Sequence, residues 1–272
     1  MKIDFHTHTK LAKKMPFSQK YTNGIFKAAK QSGLDAICLT EHYNGTELMQ
    51  SFNYIESILE RQGDCFVSKN TQDGTLGLKI FFGLEVNAEE GGHFLVIGAI
   101  DEIKSIYHHL GNYLKMNSHP PFEKLLEIVK SYSVLFGVSH PYRKSSKGNE
   151  MPDLPVDLLK QLDFIDLNGK DTTFDREGTE TKIKALSERL GVPYLAGSDT
   201  HQTFQFGCIY NQFENPLTTI SELRAAISKG EYTIVHSESA RMQVTAAAVI
   251  KRTLKTIHDL GGDFVEILFD GN

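Results

Sequence analysis

The chain has 272 residues, 40% of them hydrophobic and 23% charged, with a formal net charge of -5. A chain of this length and composition buries a sizeable core without disulfides, and one α/β barrel domain spanning residues 1–272 is the default expectation. The acidic balance argues against a nucleic-acid partner, and no run approaches the roughly 18 apolar residues that cross a membrane. The three cysteines are far apart without CxxC spacing, which favours a reducing, cytoplasmic setting.

Short apolar runs rich in β-forming residues predict buried strands along the chain. In chain order these runs are 2–5, 35–40, 78–86, 93–99, 133–140, 164–169 and 192–199. Amphipathic stretches that predict helices are 20–32, 47–62, 121–131, 175–190 and 219–229. Alternating strands and helices indicate parallel strands. The tail at about 240–260 predicts a long helix that packs on the barrel in a structural role.

Polar side chains recur where the predicted strands end. The histidines at these ends are His6, His8, His42, His140 and His201, and the acids are Glu41, Glu85 and Asp199. In a parallel α/β barrel the carboxyl ends of the strands meet at one mouth, where ligands gather. Residues two apart on a strand point to the same side, so two imidazoles can reach one ion. The pattern predicts a metal site.

His93 differs because it begins a strand, after the turn sequence "EEGG". An antiparallel return or a tight crossover would bring it back beside Glu85, and we therefore include it among the metal ligands. The remaining histidines are predicted to be solvated or capping residues; they are His108, His109, His119, His236 and His258.

Six motifs resemble the PHP (polymerase and histidinol phosphatase) family of metal-dependent phosphoesterases. They are "DFHTHT", "LTEHYN", "GLEVN", "GGHFLVIG", "GVSHPYR" and "AGSDTH", in family order from residue 4 to residue 201. The resemblance implies a distorted (β/α)7, TIM-like barrel with two or three divalent zinc, manganese or iron ions at the mouth. It also implies which residues hold them. His6, His8, Glu85 and Asp199 surround one ion, Glu85 bridges to a second held by His93 and His140, and His42 and His201 hold the third.

One departure from the family pattern concerns the third ion. The family usually supplies another acid or histidine shortly after the first motif, but no Asp, Glu or His occurs from Lys10 to Leu34. Lys13 or Lys14 stands near the expected position, where an ammonium group would repel a cation and could meet a phosphate. Our hypothesis is a site with two ions and a weak or empty third position. Glu41 is either a partner that orients a ligand imidazole or a solvent-facing acid.

The implied activity is hydrolysis of a small phosphate monoester, with the catalytic residues Glu85, Asp199, His201 and Arg143. Divalent cations lower the pKa of an attacking water and neutralise phosphoryl oxygen atoms. His201 or His42 is the candidate proton donor to the leaving group. Histidinol phosphate, a nucleotide and a sugar phosphate all remain open as the metabolite. Candidate contacts to the substrate phosphate are Arg143, Lys144, Lys170, Lys13 and Lys14, although loop charges facing water are the alternative for each.

Two other functional classes remain open from the sequence. A nuclease or proofreading phosphodiesterase would use a similar barrel, and a non-catalytic regulatory barrel would bind metal through the same residues. Turnover of a chromogenic phosphate ester, or the lack of it, separates the two catalytic readings from the regulatory one.

Overall fold

The computed structural model describes residues 1–70, 72, 74–115, 118–144 and 150–269. The strands, β1 to β11 in chain order, are Lys2–Thr7, Ala36–His42, Glu60–Gln62, Cys65–Val67, Lys79–Asn87, His93–Gly98, Leu135–Ser139, Phe164–Asn168, Tyr194–Gly197, Ile209–Phe213 and Tyr232–His236. The α-helices, α1 to α10, are Gln19–Gln31, Leu48–Ile58, Ile100–His109, Phe122–Lys130, Val156–Leu159, Gly169–Phe174, Arg176–Leu190, Ile220–Lys229, Ala240–Asp259 and Phe264–Phe269. Short 3₁₀ helices occupy Gly111–Tyr113 and Thr203–Gln205.

The sheet forms a nearly closed barrel of seven strands in the order β1, β2, β5, β6, β7, β8 and β9. This confirms the distorted, TIM-like (β/α)7 architecture. The expectation of uniformly parallel strands is wrong at β6, which runs antiparallel to both β5 and β7. The connection from Asn87 to His93 turns through Gly91 and Gly92, both at positive φ, and is too short to hold a crossover helix.

Backbone and side-chain hydrogen bonds close the barrel between β1 and β9. Near the mouth, the His8 amide donates to the Thr200 carbonyl at 3.0 Å and the Asp199 amide donates to the His6 carbonyl at 2.8 Å. Further down, the buried Asn211 side chain on β10 accepts from the Ala196 amide and donates to the carbonyls of Ala196 and Ile3. The amide thus joins three strands where no regular ladder connects β1 to β9.

The predicted strands and helices are all present, with shifts at their ends. The helix predicted over 47–62 ends at Ile58, because Glu60–Gln62 pairs with Cys65–Val67 as a hairpin. Gly63 in its turn has a φ of 64° and lies too close to the Thr218 carbonyl for a Cβ atom. The sequence does not predict several further elements, which are α3, α5, α6, α10, β3, β4, β10 and β11.

Local capping fixes the boundaries of α7 and α8. The Asp175 side chain accepts from the Gly178 amide at the start of α7, and Gly191 ends that helix in the left-handed conformation. Thr219 and Glu222 form a capping box at the start of α8. The helix predicted at about 240–260 is α9.

Two apolar clusters fill the molecule. One includes Phe5, Phe81 and Phe164 from the strands together with Leu223 from α8, and the larger one packs the strands against the surrounding helices. Because apolar side chains occupy these layers, the buried polar groups collect toward the opposite strand ends. Within the described ranges, no helix has the length and apolar character needed to cross a membrane.

Candidate metal centre

A cavity of about 1140 Å³ opens at the strand ends. Most of the predicted ligands line it directly: His42, Glu85, His93, His140, Asp199 and His201. His6 and His8 are fully buried beside them. A volume of this size accommodates a substrate much larger than a phosphate group.

The structure brings all the predicted ligands together in three groups. Within each group one potential ligand atom from every residue lies within 4.8 Å of the others. The groups are His6, His8 and Asp199; Glu85, His93 and His140; and His8, His42 and His201. These groups follow the division that the family resemblance implies in all but two respects: Glu85 is not grouped with His6, His8 and Asp199, and His8 also joins His42 and His201.

Glu85 lies at the centre of the imidazoles. The nitrogens nearest its Oε1 are His93 Nδ1 at 2.6 Å, His140 Nε2 at 3.4 Å and His6 Nε2 at 3.7 Å. Those nearest its Oε2 are His42 Nδ1 at 3.0 Å and His8 Nε2 at 3.5 Å. Burial opposes ionisation of this carboxyl, but His42 and His93 outweigh it and hold the Glu85 pKa well below its usual value. A carboxylate with imidazoles around both oxygens is placed to bridge two cations.

Several buried ligand atoms have no hydrogen-bond partner within the described structure. They include His6 Nε2, His8 Nε2, His42 Nδ1 and Glu85 Oε2, of which the last two lie 3.0 Å apart without the geometry of a hydrogen bond. Leaving such atoms buried and unpaired is costly, and a cation would satisfy them together. Two ligands that each lie about 2.1 Å from one ion are separated by roughly 3 to 3.5 Å, close to the spacings around Glu85. Imidazole and carboxylate donors suit zinc, manganese or iron, so the residues fit the implied metals.

The protonation states are mostly those that metals require. Burial lowers the pKa of His140 to about 4, with Arg143 adding to the effect, and burial also lowers the pKa of His42 and of His201. A lowered pKa favours the neutral imidazole, which is the form that can bind a metal ion. The exceptions are His6 and His8, whose pKa values are raised by surrounding carboxylates despite burial. A bound cation would displace those protons.

Hydrogen bonds on the outer ring nitrogens fix the orientation of two imidazoles. His6 Nδ1 lies 3.1 Å from Asp166 Oδ2, and His201 Nδ1 lies 3.0 Å from the Lys10 carbonyl oxygen. Both contacts leave Nε2 directed at the site, as is usual for metal-bound histidines. The sequence does not predict this role of Asp166. Its signal was a single acid inside the apolar strand run "FIDLN".

Two candidate ligands have strained backbones. His140 and Asp199 adopt φ values of 29° and 54°, in a region that non-glycine residues seldom enter. Each is held there by its amide, which donates to Asp166 Oδ2 and to the His6 carbonyl respectively. Strain that the surroundings maintain in this way is concentrated at functional sites.

The third group of ligands is weaker than the other two. His8 belongs to two groups, and its Nε2 lies 3.5 Å from both Glu85 Oε2 and Asp199 Oδ1. Its Nδ1 faces Glu41 Oε2 at 3.6 Å instead. If His8 Nε2 binds the first ion, only His42 and His201 remain as ligands for a third ion. This is consistent with the two-ion hypothesis. Glu41 is buried and accepts from the Thr9 hydroxyl, so the solvent-facing alternative is wrong.

Arg143 lies on the cavity wall with its donors directed at protein oxygens. Its guanidinium contacts Asp171 Oδ1 at 3.0 Å and also donates to Asp199 Oδ2 and Asn168 Oδ1. Asp199 is strongly ionised, because His6 and Arg143 lower its pKa more than burial raises it. Arg143 therefore holds Asp199 in place, and only the remaining N–H groups of its Nη atoms can reach a substrate.

The other predicted phosphate contacts, Lys13, Lys14, Lys144 and Lys170, also line the cavity. Two residues for which the sequence predicts other roles also line the cavity. Lys251 comes from α9, which was expected to be purely structural, and His119 was expected to be a solvated or capping residue. His119 Nδ1 lies 2.9 Å from the Tyr43 hydroxyl, which also donates to the Ser118 carbonyl.

Comparison with known proteins supports the resemblance. A family model described as PHP-associated matches residues 180–232, which include Asp199 and His201. No curated protein sequence matches the chain. The structure of PsfC from Pseudomonas syringae PB-5123 aligns with a TM-score of 0.67 at 18% identity, over 93% of this chain and 98% of that chain.

Endonuclease Q has a similar fold. PfuEndoQ from Pyrococcus furiosus, a lesion-specific endonuclease, aligns with a TM-score of 0.62 at 20% identity, over 86% of this chain and 57% of that chain. A complex of endonuclease Q with a 27-mer duplex substrate carrying an abasic lesion gives 0.61 and 19%, over 84% and 56%. The present chain thus spans little more than half the length of endonuclease Q.

The fold is a seven-stranded barrel of the PHP type, and the PHP-associated match extends over residues 180–232. The resemblance to the PHP family that the motifs indicate is confirmed by the matched segment and by the seven-stranded barrel.

The expectation that nucleic acid is not a partner is wrong, because endonuclease Q has this fold and binds a DNA duplex. The net charge is a poor guide to a nucleic-acid partner because it is a sum over the whole surface, whereas the cationic side chains are concentrated on the cavity wall. They are Lys13, Lys14, Arg143, Lys144, Lys170, Lys182 and Lys251.

Proposed function

We propose that this chain is a phosphoesterase that hydrolyses the phosphate ester of a small phosphorylated metabolite with the help of two bound divalent metal ions. The observation that carries the proposal is the convergence of unpartnered imidazole and carboxylate atoms at the base of a cation-lined cavity. Divalent cations favour phosphate-ester hydrolysis by activating water and neutralising the phosphoryl oxygens. Zinc, manganese and iron all suit these donors.

The chain's own residues divide into three roles under this proposal. Glu85 and Asp199 supply ionised carboxylates with the histidine ligands around them. Asp166 and Arg143 orient His6 and Asp199 through the contacts described above. Lysines on the wall supply positive charge for the anionic substrate.

His201 is the candidate proton donor to the leaving group. It lines the cavity, its Nδ1 faces the Lys10 carbonyl and its Nε2 lies 3.6 Å from Asp199 Oδ1. If the third metal position is weak, this Nε2 is available to the substrate. Because the Lys10 carbonyl accepts the Nδ1 proton, Nε2 donates only after the ring has taken up a second proton, which the nearby Asp199 carboxylate and the bound phosphate anion would favour against the effect of burial. A donor is useful because an alkoxide leaves poorly without a proton.

A second candidate function is cleavage of nucleic acid, and the observation that favours it is the likeness of the fold to endonuclease Q. Both candidates use the same metal centre and differ in whether the phosphorus carries one ester bond or two. We also propose a cytoplasmic setting, since all three cysteines are buried free thiols.

Hydrolysis of three substrates in parallel tests the proposal: 4-nitrophenyl phosphate, bis(4-nitrophenyl) phosphate and single-stranded DNA, each with added manganese. Preferential turnover of the monoester supports the first candidate, and preferential cleavage of the diester or DNA supports the second. No turnover by metal-loaded protein would contradict both and favour a regulatory barrel.

A pair of matched variants ties any turnover to this site. Glu85→Gln should abolish it, whereas Glu89→Gln should not, because Glu89 is an exposed acid on the next loop. Equal turnover in wild type and Glu85→Gln would show that the activity arises elsewhere.

A further inference from the structure

Two lysines that face the cavity from different helices lie close enough to repel each other. Lys170 stands near the start of α6 and Lys251 near the middle of α9, and both line the cavity. Burial lowers the pKa of Lys251 to about 8, and the positive charge of Lys170 contributes to that decrease. A shared cavity wall with two adjacent ammonium groups is unfavourable unless an anion binds there.

Neither ammonium group has a direct ion-pair partner in the described structure, although Asp199 and Glu85 favour the charged form of Lys251 from a distance. Within the described structure, neither Nζ atom forms an ion pair or a hydrogen bond with another residue. Lys251 is nevertheless half-buried on the helix, whereas Arg143 nearby is paired with Asp171 and Asp199. Lys170 is exposed, but Lys251 is partly withdrawn from water, and a charge in that position is stabilised by a counterion, which here would come from the ligand.

The lysines also lie on elements that the metal centre does not require. α9 follows the barrel and contributes no candidate metal ligand, and Lys182 on α7 adds a third cation to the same wall. A cavity of about 1140 Å³ leaves room for a substrate that spans the metal centre and this wall.

We propose that Lys170 and Lys251 form a second anion subsite, which binds a phosphate of the substrate other than the one that reacts. The inference rests on the proposed function and specifies its substrate as one that carries at least two phosphate groups. The second phosphate comes either from a bisphosphorylated metabolite or from the adjacent phosphodiester of a nucleic-acid strand. Both sources present the same chemistry to the two ammonium groups.

Calorimetric binding to manganese-loaded protein tests the subsite without turnover. The probes are propylphosphonate and a series of α,ω-alkane bisphosphonates of increasing length, whose C–P bonds a phosphoesterase does not hydrolyse. We expect at least one bisphosphonate to bind about tenfold or more tightly than propylphosphonate, as one charge-assisted contact implies. Lys251→Gln should remove that advantage and leave propylphosphonate binding within about twofold, well below a tenfold effect.

Arg252→Gln is the matched control, because it removes one positive charge from the exposed side of the same helix. It should retain the preference for the bisphosphonate. The subsite would be refuted if no bisphosphonate is preferred, or if Lys251→Gln weakens both kinds of probe equally. The second result would place Lys251 on the reacting phosphate. Thermal unfolding checks that Lys251→Gln folds.

A second arm identifies the source of the phosphate. Binding of a short oligothymidylate and of its uncharged methylphosphonate analogue is measured by fluorescence anisotropy on chelator-treated wild type and Lys251→Gln. Loss of affinity for the charged strand alone indicates a nucleic-acid strand, and no loss indicates a metabolite. The two proposals can fail separately. If only the phosphoesterase proposal is wrong, the protein still binds a bisphosphonate selectively but hydrolyses no phosphate ester.

Discussion

His93 Nδ1 lies 2.6 Å from Glu85 Oε1, although His93 begins its strand and Glu85 is near the end of the preceding one. The two residues meet because β6 runs antiparallel to β5, with His93 paired to Asn87. A histidine at the amino end of a strand thereby reaches the same mouth as ligands at carboxyl ends. The antiparallel strand is the irregularity of the barrel that completes the second group of ligands.

Asp166 should determine metal affinity through His6. Asp166→Asn weakens the hydrogen-bond acceptor for the His6 ring and for the His140 amide. Removing a residue that hydrogen-bonds to a metal ligand typically lowers metal affinity by about 10- to 100-fold. Metal titration of the chelator-treated protein measures the loss. Asp157→Asn, on the exposed face of α5, should bind metal like the wild type. An unchanged affinity in Asp166→Asn would mean that the contact does not orient the ligand.

Metal binding should stabilise the fold. A ligand that binds only the native state raises stability by about 2.7 kcal/mol at 100 times its dissociation constant. Manganese or zinc should therefore raise the thermal midpoint of wild type and of His258→Ala, whose side chain is exposed. In Glu85→Gln the increase should be largely lost. Equal increases in all three proteins would argue against binding at this centre.

The preference for a bisphosphonate should fall as pH rises. Burial lowers the pKa of Lys251 to about 8, so the ammonium is present below that pH and lost above it. The charged groups that act on it are Asp199 and Glu85 at the strand ends, Lys170 on α6 and Lys255 on its own helix. Phosphonate binding measured from pH 7 to pH 9.5 should show a declining advantage in wild type. A decline of the same size in Lys251→Gln would assign it to another group.

Asn211 should be important for the closure of the barrel. Asn211→Leu leaves the Ala196 amide without its buried acceptor and two carbonyls without a donor, at about 1 to 3 kcal/mol for each unsatisfied group. Urea denaturation should show a loss of about 3 kcal/mol or more. Gln212→Leu, next to it on the same strand but only half-buried, should cost much less. Similar losses in both variants would contradict the special role of Asn211.

The sequence predicted the seven barrel strands and the convergence of the ligand groups, because strand ends in an α/β barrel meet at one mouth. It did not predict the contributions of Asp166 and Lys251. Asp166 lies within an apolar strand, where its role depends on the distance to His6 across the barrel. Lys251 lies on an amphipathic helix, and periodicity does not show which polar residue of such a helix faces a cavity. Both depend on packing between segments distant in sequence.

The most direct test of the central claim is elemental analysis of purified protein, with and without Glu85→Ala. We expect two tightly bound transition-metal ions per chain in the wild type and loss of both affinities in the variant, since Glu85 lies between the two main ligand groups. Three tightly bound ions would contradict the two-ion site. Absence of bound metal from the wild type after incubation with zinc, manganese and iron, or an unchanged content in Glu85→Ala, would contradict the metal centre itself.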